Sequence, residues 1–283
     1  MEFLASFLSN NSALITQIRT RYFSLTSTCM SILDQLKAQL SRCDLCNNRS
    51  RNGKLICSTC LQDCPHFTLP NGTHNLLLWP AVDKIFMKRS FDQLLCYAPY
   101  IWPYDAWLKQ FKYNARFELA PLLAQLLTLC WQAHLKQLSD NKLEDKSLLI
   151  GDAVGDIVDD TVGVVSVPIH LTKWQTRGFN QAHLMAKHFA KANRLPYLSN
   201  LLKRVKKGES QVGQSGAQRR KNLAKAFEIT TLSAINYRHI VLIDDVITTG
   251  TTVNEISRLL KKNGVEKVTV LTLALSLPTQ GLR

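Results

Sequence analysis

An α/β protein built on a parallel sheet is the fold class predicted by this 283-residue chain. Three observations predict it. Runs rich in branched aliphatic residues at 162–169, 241–243 and 266–274 read as buried parallel strands. The first two lead through a short loop into a helical pattern, one reaching about Asn193 and the other running from Thr252 through Leu260. Both loops carry a glycine among basic or hydroxyl side chains, at the carboxyl end of a strand, where open parallel sheets bind ligands.

The second of these units is the most informative. Val241-Leu242-Ile243 runs into Asp244 and Asp245, then Val246-Ile247, then Thr248, Thr249, Gly250, Thr251 and Thr252. Gly250 permits a tight turn and close backbone approach to a ligand. The loop offers backbone N–H groups, threonine hydroxyls and the positive end of a helix dipole, a combination suited to a phosphate dianion. The two carboxylates can accept hydrogen bonds from vicinal ribose hydroxyls, or hold a hydrated Mg²⁺ shared with a diphosphate.

This stretch resembles the PRPP-binding motif of type I phosphoribosyltransferases. The resemblance implies a parallel sheet with helices on both faces, Asp244 and Asp245 as catalytic acids, and Thr248 to Thr252 as the 5′-phosphate loop. It also makes the basic turn after the 162–169 strand, which contains Gly178, a pyrophosphate loop with Lys173 and Arg177 as diphosphate ligands; Trp174 and Phe179 beside them are expected to pack. Purine phosphoribosyltransferases carry a further acid where this chain has Thr248, so that turn is closer to the orotate type, and no nucleobase hood is recognisable.

The rest of the chain is consistent with an anion-binding protein. It has 35 basic and 21 acidic side chains, a formal charge of +14, which favours nucleotides, PRPP or nucleic acid. No run approaches a membrane span. Residues 1–40 read as an extension and a first helix; they lack a secretory signal pattern, and the helical opening after Met30 makes either Met1 or Met30 the start.

Cys43-x-x-Cys46 and Cys57-x-x-Cys60, ten residues apart with Gly53 between them, match a four-thiolate zinc site made of two knuckles, a small zinc-ribbon-like module. Cys64 or His66 is an alternative fourth ligand. Disulfides or free thiols are the other reading, and Cys29, Cys96 and Cys130 are unpaired thiols.

Further along, 91–97 reads as a strand broken by Pro99 and Pro103, and 104–113 and 117–138 as helices. Lys109, Phe111, Lys112, Tyr113, Arg116 and Phe117 form either a core face with snorkelling lysines or a substrate or nucleic-acid groove. Residues 140–160, with seven acids against Lys142 and Lys146, read as a solvated connection. Between Ser166 and Lys225 thirteen basic residues face one acid, Glu209. Lys206, Lys207, Arg219, Arg220 and Lys221 lie there in a Gly-, Gln- and Ser-rich segment that reads as a mobile basic lid over the site or a solvated loop.

The two Cys pairs, Phe111-Lys112-Tyr113, Arg177-Gly178-Phe179-Asn180-Gln181, the 214–222 segment and the Asp244 motif together resemble the ComF family over about residues 30–275. That resemblance implies a cytoplasmic protein of natural competence, acting with competence proteins in DNA uptake. The domain division expected is an extension at 1–40, a cysteine module at 41–70, a connecting region at 71–140 and a phosphoribosyltransferase-like domain at 141–283. Two functions follow. One is a Mg²⁺-dependent phosphoribosyltransferase with an amine or base acceptor; the other is a PRPP sensor whose basic face binds single-stranded DNA. The tail at 278–283 is expected to be disordered or lightly packed.

Overall fold

A computed structural model describes residues 41–50, 54–68, 74–144, 162–205, 226–230 and 236–276. The expected extension and first helix at 1–40, Gly53, most of the acidic connection, the lid residues Lys206, Lys207, Arg219, Arg220 and Lys221, and the tail lie outside the described residues. The chain divides into two compact units, one ending at Cys64 and the other beginning at Pro65.

In the first unit a short helix, α1 (Ser58–Asp63), follows a tight turn at 44–46. Asn47 takes up a left-handed conformation at φ 58°, and its N–H donates to the Cys43 carbonyl at 2.9 Å. The Cys57 sulfur caps α1 by accepting from the Cys60 N–H at 3.4 Å.

The second unit is built on a parallel sheet. Its strands are β1 (Gln93–Pro99), β2 (Val162–Ser166), β5 (His239–Ile247) and β6 (Lys267–Leu275), in the spatial order β1-β6-β5-β2. A separate antiparallel pair, β3 (Leu202–Arg204) and β4 (Phe227–Ile229), stands apart from it. β5 and β6 are central and apolar on both faces, as strands covered on both sides must be. Pro99 ends β1 rather than breaking it. As the last residue of an edge strand it is in the position where a missing N–H costs a sheet least.

Between β1 and β2 lie α3 (Tyr104–Tyr113) and α4 (Leu119–Glu144); α2 (Pro80–Ile85) precedes β1. After β2 come α5 (Leu171–Arg177) and α6 (Gln181–Ala192), and α7 (Thr251–Lys262) joins β5 to β6. On α4, Leu119, Leu123, Leu126, Leu127, Cys130, Trp131 and His134 recur at helical spacing and are buried. α4 packs over β1 and β6, and beside it α6 packs over β2 and β5. Asn193, the C-cap of α6, joins the two helices by donating to Thr128 Oγ1 at 3.1 Å. Val253, Ile256 and Leu260 of α7 share a core with Leu94, Leu242, Val268 and Val270, together with Phe86, Phe91 and Phe227. Residues alternate along a strand, so Leu95, Val241, Ile243 and Leu271 face the opposite layer.

Candidate functional site

β5 delivers two acids to its carboxyl end. Asp244 Oδ1 accepts from the Asp245 N–H at 2.9 Å, and Asp245 Oδ1 accepts from the Val246 N–H at 2.8 Å. Burial, then the neighbouring Asp245 charge, holds the Asp244 carboxyl well above the usual carboxylate range. Asp245 faces a cation: Lys112 Nζ on α3 lies 2.5 Å from its Oδ2. Burial pushes the Lys112 ammonium down, but the Asp245 and Asp244 charges outweigh it and the group is held above its ordinary value.

Beyond the acids, Thr248 and Thr249 are exposed, and Gly250 is the N-cap of α7 in a left-handed conformation with φ 68°. A Cβ on Gly250 would meet the Phe86 ring at 2.7 Å, so the ring and the turn fit only with glycine. Thr249 and Thr251 share a hydrogen bond of 2.9 Å between their hydroxyls, and no side chain caps the helix. The loop encloses a recess of about 50 Å³ between Asp244 and Val253, room for a small group rather than a ring.

The stretch expected as a basic turn after β2 is a helix, α5, capped by the His170 side chain and ended by Gly178 at φ 77°. Four residues apart on one helix, Lys173 and Arg177 share a face. With Lys112, Tyr113, Thr172 and Thr176 they line a cavity of about 440 Å³. The Arg177 guanidinium lies over the Tyr113 ring, 5.5 Å from its centroid. Lys173 is held below its ordinary value, by burial and then by the charges of Arg177, Arg204 and Lys112. Phe179 packs as expected, its ring 5.6 Å from Phe111 and 4.7 Å from Phe117. Trp174 does not pack as expected: it is 51% exposed, on a short helix none of whose residues is buried.

Two cations of this cluster were not among the residues assigned to the site from sequence. Lys112 belongs to the basic and aromatic run at 109–117 and to the Phe111-Lys112-Tyr113 stretch that carries the ComF resemblance; of that run Phe111 is fully buried while Tyr113 and Phe117 are exposed. Arg204 on β3 has an Nε with no partner among the described residues and lies over the Phe227 ring at 5.5 Å. The β3–β4 pair, with Arg204 opposite Phe227, brings together the two ends of the segment that carries the lid residues. The sequence signal for Lys112 is its place in the Phe111-Lys112-Tyr113 stretch; for Arg204 it is basic character alone.

In the cysteine unit the sulfurs of Cys43, Cys46, Cys57 and Cys60 all lie within 4.8 Å of one another, with Cys46 and Cys57 at 3.8 Å. A tetrahedral site with Zn–S bonds of about 2.3 Å spaces its sulfurs by about 3.8 Å, so the cluster fits zinc. Burial pushes the Cys43 thiol up, but the backbone N–H groups of Cys46, Cys57 and Leu45 outweigh it and bring the thiol to about 6. Cys60 is pushed up by its hydrogen bond to the Cys46 sulfur, by burial and by the other two sulfurs. Cys64 is buried outside the cluster, and the His66 ring stacks on Tyr97 at 5.8 Å. The four clustered sulfurs are therefore those of the two pairs.

A family model described as Phosphoribosyl transferase domain matches residues 175–280. The chain is 32% identical over 241 residues to Competence protein F of Haemophilus influenzae, covering 82% of this chain and 96% of that protein. It is 29% identical over 235 residues to DNA utilization protein YhgH of Escherichia coli strain K12, covering 83% and 90%. A solved structure of the allosteric regulatory enzyme of purine biosynthesis matches with a TM-score of 0.29 and 21% identity, over 56% of this chain and 25% of that one, a similarity too small to bear on the argument.

The parallel sheet and the matched segment define a protein with a phosphoribosyltransferase-type domain, preceded by a four-cysteine module. With 32% identity over nearly the full length of Competence protein F, the chain belongs to the ComF family. Among the described residues no helix is long and apolar enough to cross a membrane.

Proposed function

We propose that this chain binds PRPP, or a closely related 5-phosphorylated ribose, together with Mg²⁺, and serves the uptake or use of DNA. The observation that carries the reading is the placement of three chemistries around the carboxyl ends of β5 and β2. A hydroxyl-lined turn opens α7, two acids precede it, and Lys112, Lys173 and Arg177 face one cavity. Thr248 to Thr252 hold the 5′-phosphate, and Asp244 and Asp245 accept from the ribose hydroxyls. Lys173 and Arg177 hold the diphosphate, and Lys112 joins the two halves because it both pairs with Asp245 and lines the cationic cavity. The carboxylate oxygens suit a hard cation, and magnesium bound with the diphosphate supplies charge that eases its departure. In the transferase form of the reading, an amine or base attacks the anomeric carbon as the bond to diphosphate breaks. In this reading Lys206, Lys207, Arg219, Arg220 and Lys221 supply charge that neutralises the departing diphosphate. The four cysteines hold a structural zinc, and the protein works in the cytoplasm with competence proteins; similarity to Competence protein F and DNA utilization protein YhgH supports the link to DNA.

A second reading is favoured by the exposed aromatics beside the cations. Tyr113, Phe117 and Trp174 are all at least half exposed, and Arg177 already lies on the Tyr113 ring. In this reading the protein senses PRPP without turnover, and the basic face binds single-stranded DNA through phosphates and stacking.

Calorimetry with PRPP and Mg²⁺ tests the first reading. Wild type is expected to bind and the Asp244→Asn, Asp245→Asn double variant to lose binding; absence of binding by wild type would sink it. Single-stranded DNA titrated at several salt concentrations tests the second, with Arg219→Ala, Arg220→Ala expected to flatten the salt dependence.

A further inference from the structure

Lys112 stands between two parts of the site that come from distant segments of the chain. Its Nζ lies 2.5 Å from Asp245 Oδ2, and its side chain also lines the cationic cavity with Lys173 and Arg177. Among the described residues it is the cation of that cavity that pairs with an acid at the end of β5.

The backbone on which Lys112 sits is fixed. Phe111 before it is fully buried and packs on Phe179, their ring centroids 5.6 Å apart. Tyr113 after it carries the Arg177 guanidinium on its ring. What is free to move is the four-carbon stem of the lysine, which swings one ammonium between two anions without shifting α3.

Asp245 has both carboxylate oxygens engaged. Oδ1 accepts from the Val246 N–H at 2.8 Å, and Oδ2, the oxygen left to face a sugar, is taken by Lys112. A diphosphate in the cavity sets several negative charges against the single one of Asp245 and draws the ammonium away. Once Nζ has left, Oδ2 accepts from a ribose hydroxyl in its place.

We propose that Lys112 exchanges Asp245 for a diphosphate group, so that filling the cationic cavity frees the carboxylate for ribose hydroxyls and the two halves of a phosphoribosyl diphosphate bind cooperatively. The inference rests on the phosphoribosyl reading above and adds a coupling inside that site. Linkage makes the effect reciprocal: a sugar held by Asp245 releases the lysine to the diphosphate. Two anions bound side by side otherwise repel, so positive cooperativity between them is the mark of the exchange.

The test is calorimetry on the full chain in magnesium-free buffer, where no added magnesium bridges the two ligands. Ribose 5-phosphate is titrated with and without saturating inorganic diphosphate. In wild type, diphosphate is expected to tighten ribose 5-phosphate binding at least about fivefold. Lys112→Met and Asp245→Asn are each expected to bring that factor below about twofold. The affinity for diphosphate alone is expected to fall in Lys112→Met and to rise in Asp245→Asn, an opposition that a merely structural loss does not produce. Asp245→Asn carries the test alone if Lys112→Met does not fold. Independent or antagonistic binding in wild type overturns the exchange. So does a coupling factor that survives either substitution, or a diphosphate affinity that falls in Asp245→Asn. PRPP with Mg²⁺, titrated into the same wild-type protein, separates the two levels. PRPP binding without coupling between the half-ligands removes the exchange alone, whereas failure of both PRPP and ribose 5-phosphate to bind removes the phosphoribosyl reading and the exchange with it.

Discussion

Lys112 Nζ and Asp245 Oδ2 meet at 2.5 Å, joining a helix that precedes β2 to the acid pair at the end of β5. Their side chains are only 22% and 13% exposed, so removing one partner leaves a largely enclosed charge. Lys112→Met is expected to destabilise the fold by about 1–3 kcal/mol. Adding Asp245→Asn should return part of that loss. A urea-unfolding double-mutant cycle checks it, and additive effects of the two substitutions would contradict a coupled pair.

Gly250 and Phe86 form a second constraint. Gly250→Ala places a methyl group 2.7 Å from the ring, on a backbone at φ 68°. A loss of about 1–3 kcal/mol is expected from strain and overpacking together. Phe86→Leu in the same chain should recover the packing part and leave the backbone part. Thermal unfolding of the two variants separates these contributions; a double variant no more stable than Gly250→Ala would assign the whole effect to the backbone.

Metal content tests the cysteine unit. About one zinc per chain is expected by elemental analysis of protein purified without chelator, and less in Cys46→Ser or Cys57→Ser. Chelation should lower the unfolding temperature of wild type more than that of either variant. Equal zinc content in all three would exclude the cluster as its site.

His134 sets a pH dependence. It is 3% exposed, neither ring nitrogen has a partner among the described residues, and burial, then Lys267 and His74, bring it from 6.5 to about 4. The fold therefore binds it neutral, while the unfolded chain takes up a proton near 6.5. Its contribution is complete above that pH and is lost as pH falls toward about 4, amounting to as much as about 3 kcal/mol. His134→Leu is expected to reduce the slope of stability against pH between those values. Unchanged slope in urea titrations would show that another group sets it.

Much of the central architecture was legible in the sequence because it is local. A branched aliphatic run that ends in two acids, a glycine turn and a helical period follow one another without interruption at 240–262, and β5, its loop and α7 occupy that stretch. The two cysteine pairs are similarly self-announcing, and the sulfurs do cluster. α5 was less legible: seven residues ending at Gly178 are too few for a helical period to stand out from a turn. The pairing of Lys112 with Asp245, and the proximity of Arg204 to Lys173, depend on how distant segments pack. No local pattern encodes them, and the hydrophobic period shows only which face of α3 is buried. Trp174 shows the complementary error, since a large aromatic in a short segment reads as core, and nothing local shows that no residue of α5 is buried.

The register of β1 against β6, with Gln93 opposite Thr269 and Leu95 opposite Leu271, bears on which pieces of this chain can be inherited separately. The transferase family match begins at residue 175, after both outer strands of the sheet. A gene fragment starting there would encode β5 and β6 with bare edges on either side, each a row of unpaired amides and carbonyls ready to recruit a strand from another molecule. Recombination that moved the match alone would therefore deliver an aggregating polypeptide. The segment before it, with β1 and β2, has to travel with the site if the site is to reach a new host.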